Sequence, residues 1–454
     1  MPPRAHAANA ATRPAGARAR GTGARNASQG QPLEHRILLT ATLCLLAFGA
    51  VMVYSASSAP TLLQGHGNGS SYLVKYVLFG GVGLVLMNLL ARDGIKRVHS
   101  ITGPLLVVSF VLVLAVYIPH VGVRVNGARR WIGSGIFQFQ PSELLKIALV
   151  LYTATLLAKK PKRVLDLREL ARPLLVVVGG ACLLVAMQPD LGTALTIGFS
   201  VCVLLVVAGM PARNLAILAG SAFGLIVFYA LIKPYARARL TSFLDPWAHA
   251  SGSGFQAVQG QIAIGSGGLF GVGPGQSVQK IFYLPEAQTD FILAVIGEEL
   301  GVVGVCALLS LYGLIGYAGL RAAKKARSLY SALIATGMTA LIVSQALLNV
   351  FAVLGLAPLT GVPLPFVSYG SSSLIVMLCA MGLLLNVSAG GSAHVRAVGG
   401  PRRRASNDAG AGDTRKREPA GWTRGQAAEA DRDRRRGNGR ARGTSTRGGR
   451  RAAG

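Results

Sequence analysis

The chain has 454 residues, of which 51% are hydrophobic and only 14% charged, and its mean hydropathy is +0.48. Soluble domains carry about 25% charged residues, so this composition excludes a soluble globular enzyme, a disordered chain and a small disulfide scaffold. The net charge of +29 would suit nucleic acid binding, but more than half of it lies in two polar tails, so we expect no nucleic acid partner.

Both ends of the chain are polar and basic. Residues 1–36 carry six Arg and one Glu, and residues 394–454 carry 17 Lys or Arg and six acidic residues. Segments this rich in Ala, Gly and Arg cannot bury a core, so we predict disordered tails at 1–36 and 391–454. Because positive segments remain on the cytoplasmic side and attract anionic lipid, we expect both termini in the cytoplasm, beside anionic membrane lipids.

Between the tails lie ten apolar stretches of nearly or fully the roughly 20 residues that a bilayer crossing needs. The predicted fold class is therefore an all-α polytopic membrane protein, with a membrane domain of about ten helices at 37–390. The predicted spans are 37–57, 72–91, 101–119, 141–158, 173–188, 191–209, 214–232, 290–319, 329–353 and 366–388.

The connections between the spans alternate in charge. Stretches 92–100, 159–172 and 320–328 are rich in Lys and Arg, whereas 58–71 and 354–365 contain neither. This alternation places the basic connections in the cytoplasm.

Two connections on the outer side break this rule, 120–140 and the long loop 233–289. An anionic ligand at the outer leaflet is the simplest reason for cations there, and contact with lipid phosphates is the alternative. The cations concerned are Arg124, Arg129, Arg130, Lys233, Arg237, Arg239 and Lys280.

The segment QPSELLK predicts a helix that begins at Pro141, with Gln140 as its cap. Glu143 at the third position suits a capping carboxylate. Lys146 follows at i+3, where it could pair with Glu143 or instead face a pocket and bind phosphate. Further along, Asp190 is well placed to cap the next span.

Asp290 opens the span TDFILAVIGEELGVVG. On a helical wheel Gly297 and Gly301 lie within about 20° of it, and as a G-x-x-x-G pair they predict close packing of this face. A carboxylate partly desolvated there would have a raised pKa and suit a general base. The alternative is that Thr289 or Asp290 caps the helix, and spacing does not separate the two.

Three further features have polar or flexible character. Glu298 and Glu299 lie 100° apart, so each is expected in a structural ion pair. The glycine-rich stretch 252–275 has no Walker pattern, so a mobile or re-entrant gating segment is favoured over a nucleotide site. GVPLPFVSYGSSSLI at 361–375 combines prolines with a helix start, which either offers N–H groups to an anion or binds no ligand.

These motifs, in this order, resemble the SEDS family (shape, elongation, division and sporulation) of bacterial peptidoglycan polymerases. Two stretches are more similar to its division subfamily, FtsW, and GVPLPFVSYG to its elongation subfamily, RodA. Ser371 departs from the family, which usually has glycine there. The matching stretches are VMVYSASS at 51–58, GARRWI at 127–132, QPSELLKI at 140–147, QPDLGTAL at 188–195, GQIAIGSGGLFGVG at 260–273, SVQKIFYLPEAQTDFI at 277–292, GEELG at 297–301 and GVPLPFVSYGSSSL at 361–374.

The resemblance implies a substrate and a catalytic residue. The family uses lipid II at the outer face of the cytoplasmic membrane, and the Asp of its P-E-x-x-T-D-F motif, here Asp290, is taken as catalytic. Since a pyrophosphate leaving group needs little protonation, one base and several cations would suffice. A divalent cation, Mg²⁺ or Mn²⁺, could assist, although no metal-ligand cluster is visible. The substrate-binding candidates are Arg129, Arg130, Trp131, Glu143, Lys146, Glu286, Ser368 and Ser372.

Among these candidates we expect Arg129, Arg130 and Lys146 to hold pyrophosphate. Trp131 could stack on a sugar or anchor the chain at the interface.

Family membership also implies partners and a location. A class B penicillin-binding protein and other division proteins are expected at the septum of a bacterial cytoplasmic membrane. Three alternatives remain at this point: a lipid II flippase, a RodA-type polymerase for elongation, and a non-catalytic scaffold that recruits division proteins through its basic tails. A flippase usually shows internal repeats, and none is clear here.

Overall fold

The computed structural model describes residues 31–63, 69–125, 128–133, 138–161 and 166–391. Most of each predicted tail, 1–30 and 392–454, lies outside these residues. Within the described part the chain forms twelve α-helices, one π-helical turn and one β-hairpin. The helices are α1 (Leu33–Leu63), α2 (Ser71–Ala115), α3 (Pro141–Lys159), α4 (Leu167–Leu174), α5 (Gly180–Met187), α6 (Leu191–Val207), α7 (Ala212–Ile232), α8 (Pro234–Leu244), α9 (Phe255–Gly267), α10 (Ile292–Lys324), α11 (Leu329–Val353) and α12 (Ser371–Ser388).

The helices confirm a polytopic membrane fold. Seven of them are long and apolar enough to cross a membrane, namely α1, α2, α3, α7, α10, α11 and α12. Two shorter apolar runs, Arg172–Met187 and Leu191–Val207, match two more predicted spans. The first contains the π-helical turn Leu175–Gly179, directly after Pro173, whose missing N–H interrupts regular helical bonding.

Helix α2 supplies two of the predicted spans. Its first turn places Tyr72 edge-on against Tyr369, just before α12, and its middle carbonyl at Ala91 accepts a hydrogen bond from Asn386 at the opposite end of α12. Its last turn, at Val113, accepts from Gln188, near the end where α12 begins. Helix α2 is about 68 Å long, about twice the roughly 30 Å thickness of the hydrocarbon core of a bilayer. These contacts show that its second half runs back towards the end where α12 begins. The stretch 92–100, expected as a loop, is helical.

One connection between the helices contains a short β-hairpin. Strand β1 (Gly122–Val125) pairs antiparallel with β2 (Ala128–Ile132), with Val123 opposite Trp131. The sequence between the strands is Asn-Gly, the pair that tight hairpins favour.

Local signals set several helix ends. Helix α3 begins at Pro141 after Gln140, as predicted. Asp190 caps α6, because its Oδ1 accepts from the Thr193 N–H at 3.2 Å. These two starts lie side by side, since the Gln140 amide donates to the Asp190 Oδ2 at 2.9 Å. We call this end of the helix bundle, which also holds the start of α12, the site end.

Burial divides the helices into an inner group and an outlying one. Helices α11 and α12 are buried along most of their length, whereas Ala230 is the one buried residue of α7. At the end opposite the site end, the buried Glu34 pairs with Arg321 at 2.8 Å and Lys325 at 2.6 Å, which ties α1 to α10. Ion pairs therefore join the helices at one end of the bundle, and polar side chains meet at the other, the site end.

Candidate active site

Asp290 lies immediately before α10 and does not cap it. The N-cap residue is Phe291, and the helix begins at Ile292. The Asp290 backbone carbonyl accepts a 2.7 Å hydrogen bond from the Asn349 amide, and its Oδ1 lies 3.2 Å from the Thr289 hydroxyl. The capping alternative is therefore wrong.

The surroundings of Asp290 raise its pKa to about 6. Burial is the main cause, because it disfavours the charged form, and the negative charge of Glu286 adds to it. The Thr289 hydroxyl lies 3.1 Å from a Glu286 carboxylate oxygen as well as near Asp290. Since a hydroxyl has one proton to donate, it stabilises one of these carboxylates at a time.

Arg239 of α8 is the cation whose charge lowers the pKa of Asp290, against the larger effect of burial. A Cβ built on Gly361 would lie 3.8 Å from the Asp290 Oδ2 and 3.9 Å from the Arg239 Nη2, so both groups approach one point. Gly361 has φ +67°, where a side chain would be strained, and the missing Cβ leaves that point open. Burial lowers the pKa of Arg239, while Asp290 and Asp190 raise it.

The position of Arg239 is fixed by two contacts. Its Nη1 donates to the Leu359 carbonyl at 2.6 Å, and its guanidinium lies 4.7 Å from the centre of the Tyr235 ring. Sequence reasoning noted Arg239 among the outward cations but did not choose it as a site residue. The signal was present, a cation on the outer side against the topological rule, but its chain position gave no hint of its neighbour.

The β-hairpin brings further cations to the site end. Arg130 donates through Nε to the Gln188 carbonyl at 2.9 Å and through Nη2 to that of Pro189, so it holds the turn before α6. Its charge acts on Arg239. Arg129 is exposed and Trp131 half-buried on the same strand.

Lys146 and Glu143 form a buried ion pair, which is one of the alternatives predicted for Lys146. The Lys146 Nζ lies 2.9 Å from the Glu143 Oε2 and donates to the Gln345 side chain at 2.6 Å. The Gln345 amide in turn donates to the Pro363 carbonyl at 2.9 Å. The ion pair therefore helps, through this hydrogen bond, to hold the segment that contains Gly361.

The two predicted serines fix the entry to α12. The Ser368 hydroxyl accepts from the Leu364 N–H at 2.9 Å, and the Ser372 hydroxyl accepts from the Gln140 N–H at 2.9 Å. Ser371 donates to the Gln138 carbonyl at 3.0 Å and is not among the residues with positive φ, so its departure from the family glycine causes no backbone strain. Both predicted serines thus accept hydrogen bonds from backbone groups around the start of α12.

Helix α10 is broken at Gly301, which has φ +65° and ψ −164°. The glycine-rich turn after α9 fills the break: the N–H groups of Val272 and Gly273 donate to the carbonyls of Glu298 and Glu299, at 2.9 and 3.1 Å. In return Val302 and Val303 donate to Gly268 and Leu269, at 3.1 and 3.2 Å.

The break changes the prediction for this face of α10. Gly297 packs against Ile264 of α9, as the close-packing prediction requires, but Gly301 interrupts the helix, so the wheel does not extend to it. The glycine-rich stretch is docked at this point by backbone hydrogen bonds.

Glu298 and Glu299 bind separate partners, as their angular separation predicts. Glu299 forms a buried ion pair with Lys280 at 2.8 Å, so Lys280 is not an outward-facing cation. Glu298 instead accepts hydrogen bonds from Ser277 and the Val278 N–H. In the part of the chain that the structure describes, no group of three or more His, Cys, Asp or Glu side chains could hold a metal ion.

Residues 36–392 match the FtsW/RodA/SpoVE family, described as cell cycle protein. Stage V sporulation protein E of Bacillus subtilis is 41% identical over 78% of this chain and 96% of its own length. The probable peptidoglycan glycosyltransferase FtsW of Coxiella burnetii is 40% identical over 77% and 95%.

Solved structures agree with these relatives. A chain of a peptidoglycan synthase complex, in a study of coordinated polymerization and crosslinking, has a TM-score of 0.64 at 32% identity and covers 77% of this chain and 96% of its own. The rod shape determining protein RodA of Thermus thermophilus has a TM-score of 0.56 at 33% identity and covers 77% and 95%. The chain therefore belongs to the FtsW/RodA/SpoVE family, the SEDS family of peptidoglycan glycosyltransferases.

Proposed function

We propose that this SEDS glycosyltransferase polymerises lipid II into glycan strands at the outer face of the bacterial cytoplasmic membrane during cell division, with Asp290 as its general base. One observation carries the proposal: a carboxylate at the site end has a pKa raised to about 6, does not cap its helix, and lies close enough to Arg239 for that cation to act on its charge. A base with such a pKa is mostly ionised at neutral pH and still accepts a proton readily.

The chemistry needs one base and a cationic site for the leaving group. The acceptor hydroxyl attacks the anomeric carbon of the donor, its proton passes to Asp290, and the bond from that carbon to the pyrophosphate oxygen breaks. Pyrophosphate leaves as an anion, so no second carboxylate has to protonate it, unlike the pair used by glycoside hydrolases. Glu286 instead keeps the pKa of Asp290 high through its charge.

The geometry favours Arg239 as the main pyrophosphate ligand, with Arg129 and Arg130 at the rim. Lys146 and Glu143 we assign to packing, because their ion pair is fully buried. Trp131, half-buried on the hairpin, is placed to stack on a sugar or to anchor at the interface. Mg²⁺ or Mn²⁺ would have to come with the pyrophosphate, because the described residues offer no metal-binding cluster.

Orientation in the membrane follows from charge. The end opposite the site carries Arg321 and Lys325 with Glu34, and cations of this kind stay in the cytoplasm. The site end therefore faces outward, where lipid II is used, and both termini are cytoplasmic.

Partners and location are part of the proposal. We assign the chain to the septum, with a class B penicillin-binding protein and other division proteins. The similarity to a chain of a peptidoglycan synthase complex and to FtsW proteins supports this. Anionic lipids would neutralise the basic tails.

Reconstitution with fluorescent lipid II separates the proposed reaction from its alternatives. The purified chain, alone and with its penicillin-binding protein, should give glycan strands on a gel. A flippase would move lipid II between the leaflets of liposomes without making strands. Removal of residues 1–30 and 400–454 should leave polymerisation intact, whereas a scaffold that acts through its tails would lose its function.

Arg239→Gln should lower kcat/KM for lipid II by about 10- to 100-fold, since loss of a hydrogen bond to a charged group costs about 1.5–3 kcal/mol. Steady-state polymerisation at several lipid II concentrations measures this. Arg237→Gln, on the same helix but exposed, is the matched control and should behave as wild type. Equal kcat/KM for the two variants would remove Arg239 from the site.

The rate of polymerisation should rise with pH and level off above about pH 7. A base with a pKa of about 6 loses its activity on protonation, so the rate falls about tenfold per pH unit below that value. Glu286→Gln removes a like charge, so it should move this acidic limb to lower pH. A rate that is unchanged between about pH 5 and pH 8 would contradict the assignment of the base.

A further inference from the structure

Two adjacent carboxylates at the helix break hold the segment that leads to Asp290. Glu298 accepts from the Ser277 hydroxyl and from the Val278 N–H at 2.9 Å. Glu299 accepts from the Lys280 ammonium at 2.8 Å and from the Ser55 hydroxyl of α1 at 2.6 Å. We call Ser55, Lys280 and Glu299 the clasp.

Lys280 and Glu299 of the clasp are buried, Ser55 is half-buried, and the three side chains bind one another. Lys280 is 4% exposed and Glu299 1% exposed. The Lys280 Nζ also donates to the Ser55 Oγ at 3.1 Å and to the Gly275 carbonyl at 2.8 Å. Three parts of the chain therefore meet at one ammonium group: α1, the segment before Asp290, and α10 at its break.

The clasp forms one of two anchors of the segment 280–290. The other lies at the site, where Asn349 donates to the Asp290 carbonyl at 2.7 Å and the Tyr369 N–H donates to the Gln288 carbonyl at 2.9 Å. Between these anchors Phe282 and Tyr283 are exposed and Glu286 has φ +55°, whereas Leu284 and Ala287 are buried in the core. We therefore expect the position of the Asp290 carboxylate to depend on these hydrogen-bonded anchors together with the two buried side chains.

Stability alone does not explain a buried ion pair at this position. Desolvation of two charges offsets much of their attraction, and apolar residues of similar size often stabilise a fold as well or better. What a hydrogen-bonded ion pair adds is one defined geometry, because Lys280 and Glu299 satisfy each other in a single arrangement.

We propose that Lys280 and Glu299, with Ser55, are positioning residues that set the place of Asp290 from a distance. The proposal rests on the proposed role of Asp290 as base. It predicts that a change in the clasp lowers kcat of the folded enzyme while the KM for lipid II stays nearly constant, because the cations that hold pyrophosphate lie elsewhere.

The test compares four variants with wild type: Glu299→Gln, the double variant Lys280→Met with Glu299→Gln, Lys280→Arg and Ser55→Ala. All activities are expressed per folded molecule, measured by size-exclusion chromatography and thermal unfolding. We expect kcat of the double variant to fall about tenfold or more, since a misplacement of about 1 Å costs about 100-fold, with KM within about twofold of wild type. Lys280→Arg keeps the charge and should retain more activity than the double variant.

Matched controls separate position from charge and fold. The double variant Lys325→Met with Glu34→Gln removes a Lys–Glu ion pair at the opposite end, where Lys325 is exposed, and should keep wild-type kcat. Ser55→Ala leaves both charges in place, so it folds even where the double variant does not, and its kcat should also fall.

The outcomes also separate this proposal from the proposed role of Asp290 as base, on which it rests. Wild-type kcat in the folded double variant and in Ser55→Ala would overturn the positioning role, while an inactive Asp290→Asn would leave the base role standing. Full activity of Asp290→Asn, or no glycan from wild type with its partner, would overturn both.

Discussion

Asp290→Asn should reduce glycan synthesis to about 1% of wild type or less. Asparagine has the shape of aspartate, so the hydrogen bond from Asn349 to the backbone at this position and the start of α10 remain. An amide cannot accept the proton of the attacking hydroxyl, and a general base contributes about 10²- to 10⁴-fold. The loss should therefore appear in kcat, with lipid II binding retained.

The measurement is polymerisation of labelled lipid II by the variant and its partner, together with a binding assay for lipid II. Asp93→Asn is a suitable control, because Asp93 is an exposed acid in the turn of α2 whose charge is far from the site end. Glycan strands of normal amount from Asp290→Asn would assign the base to another group, with Glu286 the next candidate.

Gly301→Ala should destabilise the fold by on the order of 3 kcal/mol or more. A Cβ at this position would lie 2.5 Å from the Gly271 nitrogen and from the Leu269 oxygen, and φ +65° with ψ −164° is a conformation that is open essentially to glycine only. The glycine-rich turn would have to move away, and backbone groups at membrane depth would lose their partners.

Gly313→Ala provides the control in the same helix. Nothing lies within 4 Å of a Cβ built there, so alanine should be neutral or stabilise by about 0.5–1 kcal/mol. Thermal unfolding in detergent should separate the two variants clearly. Equal midpoints would mean that the turn and the helix break are not tightly coupled.

The spans and several helix ends could be predicted from sequence because local chemistry determines them. In lipid every backbone group must be satisfied within its own segment, so long apolar stretches become helices. Pro141 and Asp190 start helices through their own backbone and side chain, whatever the rest of the chain does.

The break at Gly301 was missed because glycine in a helix has two uses that look alike in sequence. A small residue at G-x-x-x-G spacing predicts close packing, and Gly297 follows that rule. Gly301 instead takes a left-handed conformation, and only the docked turn explains why. Its partner segment could not be identified by periodicity.

The sequence motif of the site could be predicted, but the arrangement of the side chains around it could not. Sequence spacing could not separate a base from a cap at Asp290, and the choice depends on where α10 begins, at Ile292. Arg239 and Lys280 both read as outward cations, yet one approaches Asp290 and the other is buried against Glu299. Tertiary packing determines whether such a cation lies at the site or in a buried ion pair, and a count of charges along the sequence does not include it.

The helix break also constrains how the chain enters the membrane. The part of α10 before the break, residues 292–300, is only about 14 Å long and cannot cross the bilayer by itself. If it left the translocon alone, the broken backbone would meet lipid with its hydrogen-bonding groups unpaired, at a cost of several kcal/mol for each. The α9 turn, which is synthesised just before, is the partner already at hand. Insertion should thus proceed with α9 and α10 as one hairpin, and the glycine-rich stretch should tolerate no change in length.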